Sequence, residues 1–308
     1  MPEYFGSGNG TADRMHLLFD FVLNPQIMLA LARGAAEPLL EGLRSAPTVP
    51  TGGQWATFLR NHDELDLSRL TVAQREEVFA AFGPQARMQL YGRGLRRRLA
   101  PMLGNDRRRL ELAYALQFSL PGTPVLRYGE EIGMGDDLSL PGRDAFRTPM
   151  QWDGSRNGGF STAPAGQLVR PAVSRGEFGF RAVNVSRQRG DRDSLLTWFS
   201  RTISVRRECP ELGRGRAAAV DVALPPGVLA HRVDDAAGSL LFLHNLADEP
   251  VTVDLSAMDG VHVVEEMLSD GSGPPADAAP AEVSLAGYGY RWMRLGAPGR
   301  RPRAVAAR

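Results

Sequence analysis

Lysine is absent from this chain: all 36 of its basic residues are arginine. Schiff-base chemistry on a lysine is therefore excluded, and the cations present are planar forks that suit sugar hydroxyls and carboxylates. Cysteine is nearly absent too. Cys209 stands alone, so neither an internal disulfide nor a CxxC metal or redox site can form, and a cytoplasmic location is expected. No uninterrupted apolar run approaches the roughly 20 residues that a membrane helix needs. The opening MPEYFGSGNGTADRMHLLFDF also lacks the basic-then-apolar order of an export signal. The expectation is a soluble, non-exported protein with no membrane partner. Charge excess is missing as well: 36 basic against 35 acidic residues leave a net charge of +1, too little to draw a nucleic acid. A neutral small molecule fits better.

What is present is apolar material for a core, 43% of 308 residues, enough for one large or two modest domains. His16 to Leu23, HLLFDFVL, is a nearly continuous apolar run, the pattern of a strand buried on both faces. Helical spacing follows in QIMLALARG and EPLLEGLRS, closed by APTVPTGG. Trp55 to Asp63 reads as a second strand whose apolar residues give way to Arg60, Asn61, His62 and Asp63. Thr71 carries a capping signal for a helix, and NDRRRLELAYALQFSL predicts another. Pro124 to Tyr128 reads as a third strand, followed by a long loop. Strand, helix, strand, helix, strand with polar C-terminal ends is parallel α/β grammar, and the loops after strand ends are where such folds place chemistry. DSLLTWFSRTISVRREC predicts one more helix. Beyond it GVLAHRV, SLLFLHNL, PVTVDL, VHVVEEML and YGYRWMRL read as short antiparallel strands. The expected organisation is an α/β domain over 1–212, a β-sandwich over 213–297 and a disordered basic tail over 298–308.

Phe58 to Glu64, FLRNHDE, is the most informative stretch. A bare His-Asp pair is ordinarily a turn with a local hydrogen bond. Here Arg, Asn, His, Asp and Glu follow one another at the end of a parallel strand, a costly set to desolvate unless it converges on a ligand. FLRNHDE resembles the seventh-strand signature of the α-amylase family, glycoside hydrolase family 13, in its trehalose synthase-like form. GTPVLRYGEEIGMGDD resembles the eighth strand and its loop, and RDAFRTPMQW resembles an element of the α-glucosidase and trehalose synthase branches. NGGFS, VNVSRQRGDRDSLLTW and ISVRRECPE continue the likeness in order over residues 1–212, with the sandwich following more loosely.

The resemblance implies the last three strands and helices of a (β/α)8 TIM barrel followed by a β-sandwich. It implies that Asp63 stabilises an oxocarbenium-like transition state, that His62 contacts the same sugar ring, and that Arg147 holds a hydroxyl at its far end. Glu64 and Glu130 would shape the neighbouring subsite. An ion pair of Arg147 with Asp144 or Glu131 is the structural alternative, and Trp152 fits packing beneath the loop better than a sugar platform. The substrate implied is maltose, trehalose or a short α-glucan, with no cofactor and no metal.

One departure is decisive: retaining glycosidases need two carboxyl groups about 5 Å apart, and neither a GFRLDA-like nor an EANQ-like motif is found. Nucleophile and general acid are therefore expected upstream of Met1, and Glu3 is not a substitute. Three parallel strands also expose two edges, which a complementary N-terminal half or a second copy of the chain would cover. Three functions stand side by side: a maltose/trehalose-interconverting enzyme represented by its C-terminal portion, an α-glucosidase hydrolysing short α-glucans, and a catalytically inactive fragment or carbohydrate-binding partner. LRRRLAP and NDRRRLEL read as solvated basic faces, GSGNG and GMGDD are too loose for a phosphate loop, and Cys209 reads as a structural thiol.

Overall fold

Three short strands, Leu17–Phe19, Gln54–Thr57 and Thr123–Pro124, lie side by side in that order, all parallel, in a computed structural model of the chain. Leu18 is opposite Trp55, and Ala56 is opposite Thr123. The structure describes residues 2–6, 10–220, 222–236, 238–256, 258, 261–275 and 281–296. The tail expected over 298–308 lies outside them, as does most of the GSGNG stretch.

Parallel neighbours need crossover connections, and helices supply them. Leu23–Arg33 and Glu37–Ser45 link the first strand to the second, Val72–Phe82 and Arg107–Ser119 link the second to the third, and Leu195–Arg207 follows. The expected helix starts are real. Thr71 and Gln74 form a reciprocal capping box, Asp106 accepts from the Arg108 amide at 2.9 Å, and Ser194 accepts from the Thr197 amide at 3.1 Å. Each bond satisfies an amide that the first helical turn leaves unpaired.

The strands are shorter and wetter than their sequences suggest. HLLFDFVL is not a strand buried on both faces: only Leu17–Phe19 is extended, and Leu17 and Phe19 are 44% and 39% exposed. Among the described residues this strand pairs on one edge alone, and its outward side chains are only partly covered, Phe19 by the Phe58 ring 5.4 Å away. Beyond Thr57 the chain leaves the sheet because its carbonyls find other partners; Asn24 Nδ2 donates to Phe58 O at 2.7 Å and to Leu59 O at 3.2 Å. Leu65–Asp66, Gln89–Leu90 and Gly94–Leu95 form a small antiparallel sheet over the second strand's end. Two-residue strands are too short for any alternation to announce them.

The C-terminal part is antiparallel. Strands Val263–Ser269, Tyr290–Leu295, Gly238–Asn245, Val228–Asp235 and Arg216–Ala219 make one sheet in that order, and Val251–Asp254 pairs with Glu282–Leu285. Alternate residues of a strand face opposite sides, and here both sides are buried. Leu240, Phe242 and Trp292 join the core shared with the Arg107–Ser119 and Leu195–Arg207 helices, while Leu241, Leu243 and Met293 pack with Val253, Val283 and Leu285 of the smaller sheet. Polar side chains lock the two parts together. Trp198 Nε1 donates to the Tyr290 hydroxyl at 2.7 Å, that hydroxyl lies 3.1 Å from Glu111 Oε2, and His231 Nε2 lies 3.2 Å from Ser119 O. The result is a partial (β/α)8 barrel followed by an antiparallel sheet domain, as the sequence led us to expect.

Candidate active site

Five consecutive polar residues, Arg60 to Glu64, follow the middle parallel strand, and they separate into a buried layer and an exposed one. Arg60 is buried; its Nε donates to Arg97 O at 2.8 Å and its Nη2 to Asp63 O at 3.1 Å. Burial pushes its guanidinium down to about 10, against the opposing pull of the Glu130 charge. Asn61 Oδ1 accepts from the Asp63 amide at 2.8 Å, the side-chain turn that Asn favours. Arg60 and Asn61 thus set the backbone from which the next two side chains project outward. His62 is 74% and Asp63 is 38% exposed, with His62 Nε2 3.5 Å from Asp63 Oδ2.

Two arginines from the 142–147 loop close over Asp63. Arg147 Nη2 donates to Asp63 Oδ1 at 2.8 Å while its Nε donates to His62 O at 2.7 Å. Arg143 Nη1 is 3.4 Å from the same Oδ1, and its Nε donates to Glu64 Oε2 at 2.7 Å. Glu64 is buried, with Arg93 Nη2 3.6 Å from its other oxygen. Burial works to raise the Glu64 carboxyl, but the bonds to Arg143 and Arg93 outweigh it and hold the group below its ordinary value. Arg147 forms neither alternative ion pair weighed above, since Asp144 is taken by Arg170 at 2.6 Å and Arg147 binds Asp63.

Glu130 sits elsewhere, in the interior beneath this layer. Its Oε1 is 3.1 Å from Arg98 Nη1, and its Oε2 accepts from the Tyr114 hydroxyl at 2.8 Å. The structure therefore brings Asp63, His62, Arg147 and Glu64 together and places Glu130 in the support. Two readings need correction. LRRRLAP is no solvated face: Arg98 is fully buried, and Asp136 Oδ2 accepts from Arg97 Nε and from the Arg98 amide, both at 2.9 Å. The Asp136 carboxyl is pushed up by that burial, against the pull of Arg97 and Arg98. Trp152 is half-exposed rather than packed beneath its loop.

A separate cleft of about 410 Å³ opens at the opposite, N-terminal ends of the strands, between Gln54, Thr123 and Cys209. Ligands of barrel enzymes bind at the C-terminal strand ends, so the Asp63 end is the candidate site. Burial pushes the Cys209 thiol up to about 12, which keeps it an inert structural group. Among the described residues no cluster of His, Cys, Asp or Glu is arranged to hold a metal ion, and no helix is long and apolar enough to cross a membrane.

Residues 91–215 match the family described as "Alpha amylase, catalytic domain", and residues 238–294 match "Sucrose hydrolase-like, C-terminal domain". The trehalose synthase/amylase of Mycobacterium tuberculosis (strain ATCC 25618 / H37Rv) is 40% identical over 299 residues, covering 95% of this chain and 49% of that protein. The trehalose synthase of Pimelobacter sp. (strain R48) is 38% identical over 308 residues, 96% of this chain and 53% of that protein. The chain thus spans about half the length of the curated relatives it matches. Among solved structures, an α-amylase from H. orenii superposes with a TM-score of 0.64 at 21% identity over 92% of this chain and 49% of that one. The trehalulose synthase from Pseudomonas mesoacidophila MX-45 gives 0.58 at 19% identity over 85% and 47%; both bear on the fold alone. Fold and sequence together put this chain in the α-amylase family. Within that family it is a trehalose synthase-like protein, matching the C-terminal part of those enzymes.

Proposed function

We propose that this chain carries the transition-state-stabilising part of a site that interconverts maltose and trehalose, with Asp63 as its central residue. One observation carries the reading. Asp63 Oδ1 is held by Arg147 and Arg143, which leaves Oδ2, near His62 at 3.5 Å, open to sugar hydroxyls at the C-terminal end of a barrel strand. Asp63 accepts ring hydroxyls and faces the positive charge that develops at the anomeric carbon, His62 donates to the same ring, and Arg147 fixes both. Glu64 keeps Arg143 in place, and Glu130 supports the floor through Arg98. A carboxylate about 4 Å from that charge supplies about 4 kcal/mol at an effective dielectric of about 20, on the order of a thousandfold in rate.

Retention further requires a nucleophile and an acid/base carboxyl. In our reading a complementary N-terminal half supplies both. The nucleophile attacks the anomeric carbon as the acid protonates the departing glucose; that glucose turns within the closed site and its anomeric hydroxyl attacks the glycosyl-enzyme, giving its proton to the same acid/base carboxylate as the bond to the nucleophile breaks. The exposed Leu17 and Phe19 and the match to only half of the relatives' length support such a partner. The units we assign are 1–212 for the barrel portion and 213–297 for the sandwich, and the location is cytoplasmic. Glu64 is buried and twice bound by arginine, which favours a second reading: alone, this chain binds α-glucosides without converting them.

The chain is incubated with maltose, alone and together with a polypeptide spanning the N-terminal half of a trehalose synthase, and the products are followed by NMR. Trehalose is expected only from the mixture, with a roughly thousandfold loss in Asp63→Asn. Trehalose formed at an unchanged rate by that variant would sink the reading. Glucose release without trehalose would shift it to α-glucoside hydrolysis.

A further inference from the structure

Next to Asp63 the chain makes a two-residue turn between Leu90 and Arg93, closed by the Arg93 amide donating to Leu90 O at 3.3 Å. Tyr91 and Gly92 occupy its centre with φ values of 58° and 64°. Positive φ at both positions is the type I′ geometry, where Asn, Asp or Gly is the favoured first residue and a bulky aromatic side chain is strained. Tyr91 gains nothing from burial in return, being 63% exposed.

The turn is indexed to the site on several sides. Its Gly94–Leu95 strand pairs with Leu65–Asp66, directly after Glu64, and Arg93 reaches back to Glu64 at 3.6 Å. A side chain at Gly94 would put its first carbon 2.6 Å from Leu65 O, so only glycine permits this close pairing. The Arg143 guanidinium carbon lies 5.7 Å from the Tyr91 ring centre, and Arg143 in turn touches Asp63 and Glu64. A strained, exposed aromatic ring is therefore held beside the carboxylate by a guanidinium common to both. Backbone strain that persists only because its surroundings enforce it concentrates at ligand sites.

We propose that Tyr91 is a binding residue for the second ring of an α-linked disaccharide. The inference rests on the sugar-binding reading of Asp63 given above. One ring is held by Asp63, His62 and Arg147. The C–H face of the next pyranose lies on the Tyr91 ring, the apolar contact that carbohydrate sites add to their few polar ones. Arg143 keeps the ring from rotating away and offers its outer N–H groups to that sugar's hydroxyls.

Calorimetric titration of the chain with maltose and with glucose, in the wild type, Tyr91→Asn, Tyr91→Phe and Asp63→Asn, tests this. Asn suits the turn, so the melting temperature of Tyr91→Asn should not fall; if it does, Tyr91→Gly, which fits the same geometry, is read in its place. The expected result is a preference for maltose over glucose that shrinks roughly threefold to tenfold in Tyr91→Asn and survives in Tyr91→Phe. Binding of both sugars with an unchanged preference in Tyr91→Asn overturns the role of Tyr91 and leaves Asp63 in place. An equal loss in Tyr91→Phe, which keeps the ring, also overturns it. A wild type that binds neither sugar, or an Asp63→Asn variant that binds both as well as the wild type, removes the Asp63 reading and this inference with it.

Discussion

Replacing Glu130 with alanine should damage the fold far more than it damages sugar binding. Arg98 is fully buried, and among the described residues Glu130 is its only carboxylate partner within ion-pair distance. The Tyr114 hydroxyl, raised well above its usual range by burial and then by the Glu130 charge, donates to the same carboxylate. Arg60 and Arg127 stand close enough for Glu130 to counter the burial that pushes each guanidinium down to about 10. Removing the carboxylate leaves mutually repelling guanidiniums in a dry interior and a phenol without an acceptor. Breaking a buried pair by deleting one member costs about 3–5 kcal/mol, a drop in melting temperature on the order of 10 °C for a chain of this size. Glu130→Gln keeps the shape and an acceptor for Tyr114, so roughly half that cost is expected. Denaturant unfolding measures both, and glucose titration of the folded variants completes the test. A loss below about 1 kcal/mol in Glu130→Ala, or a stable Glu130→Gln that no longer binds glucose, would refute this reasoning and return Glu130 to the sugar.

Arg147→Gln should do the reverse: its pair with Asp63 is partly exposed, worth under about 1 kcal/mol in unfolding experiments, whereas glucose affinity should fall about tenfold. Stability should decline as pH drops from about 6.5 toward 4. His231 is buried and its folded value is pushed down to about 4 by that burial. His244, also buried, is pushed well below its ordinary value by that burial; at each of the two histidines the unfolded chain takes up a proton that the folded one refuses, so about 1.4 kcal/mol per histidine is lost per pH unit in that window. Unfolding at pH 7 and pH 5 should show this slope, roughly halved in His231→Phe. A charge at the open edge, as in Leu17→Glu, should suppress any self-association measured by sedimentation with little loss of melting temperature, because that side chain is 44% exposed; unchanged association would show that this edge is not the contact.

Much of the architecture was legible because it is written in short-range signals. Thr71, Asp106 and Ser194 start the helices as their side chains require, and the change from helical to alternating patterning announces the antiparallel sheet. Asp63 could be singled out because the run Arg60–Glu64 puts consecutive polar groups at a strand end, where only a ligand or a salt-bridge network repays desolvation. What escaped depends on partners distant along the chain. LRRRLAP looks like a solvated face until Asp136 and Glu130 are brought against Arg97 and Arg98. Tyr91 looks like any exposed aromatic until its positive φ and the guanidinium of Arg143 are seen.

The residue order by itself thus determined the types of element, their parallel-then-antiparallel sequence and the carboxylate we propose for the centre of the site, since capping, periodicity and strand-end polarity are local properties. Only the tertiary structure decided which arginine meets which carboxylate, that Glu130 supports while Asp63 faces outward, and that the first strand stays wet. Those outcomes turn on desolvation and pairing between segments many residues apart, and neighbouring letters do not encode them.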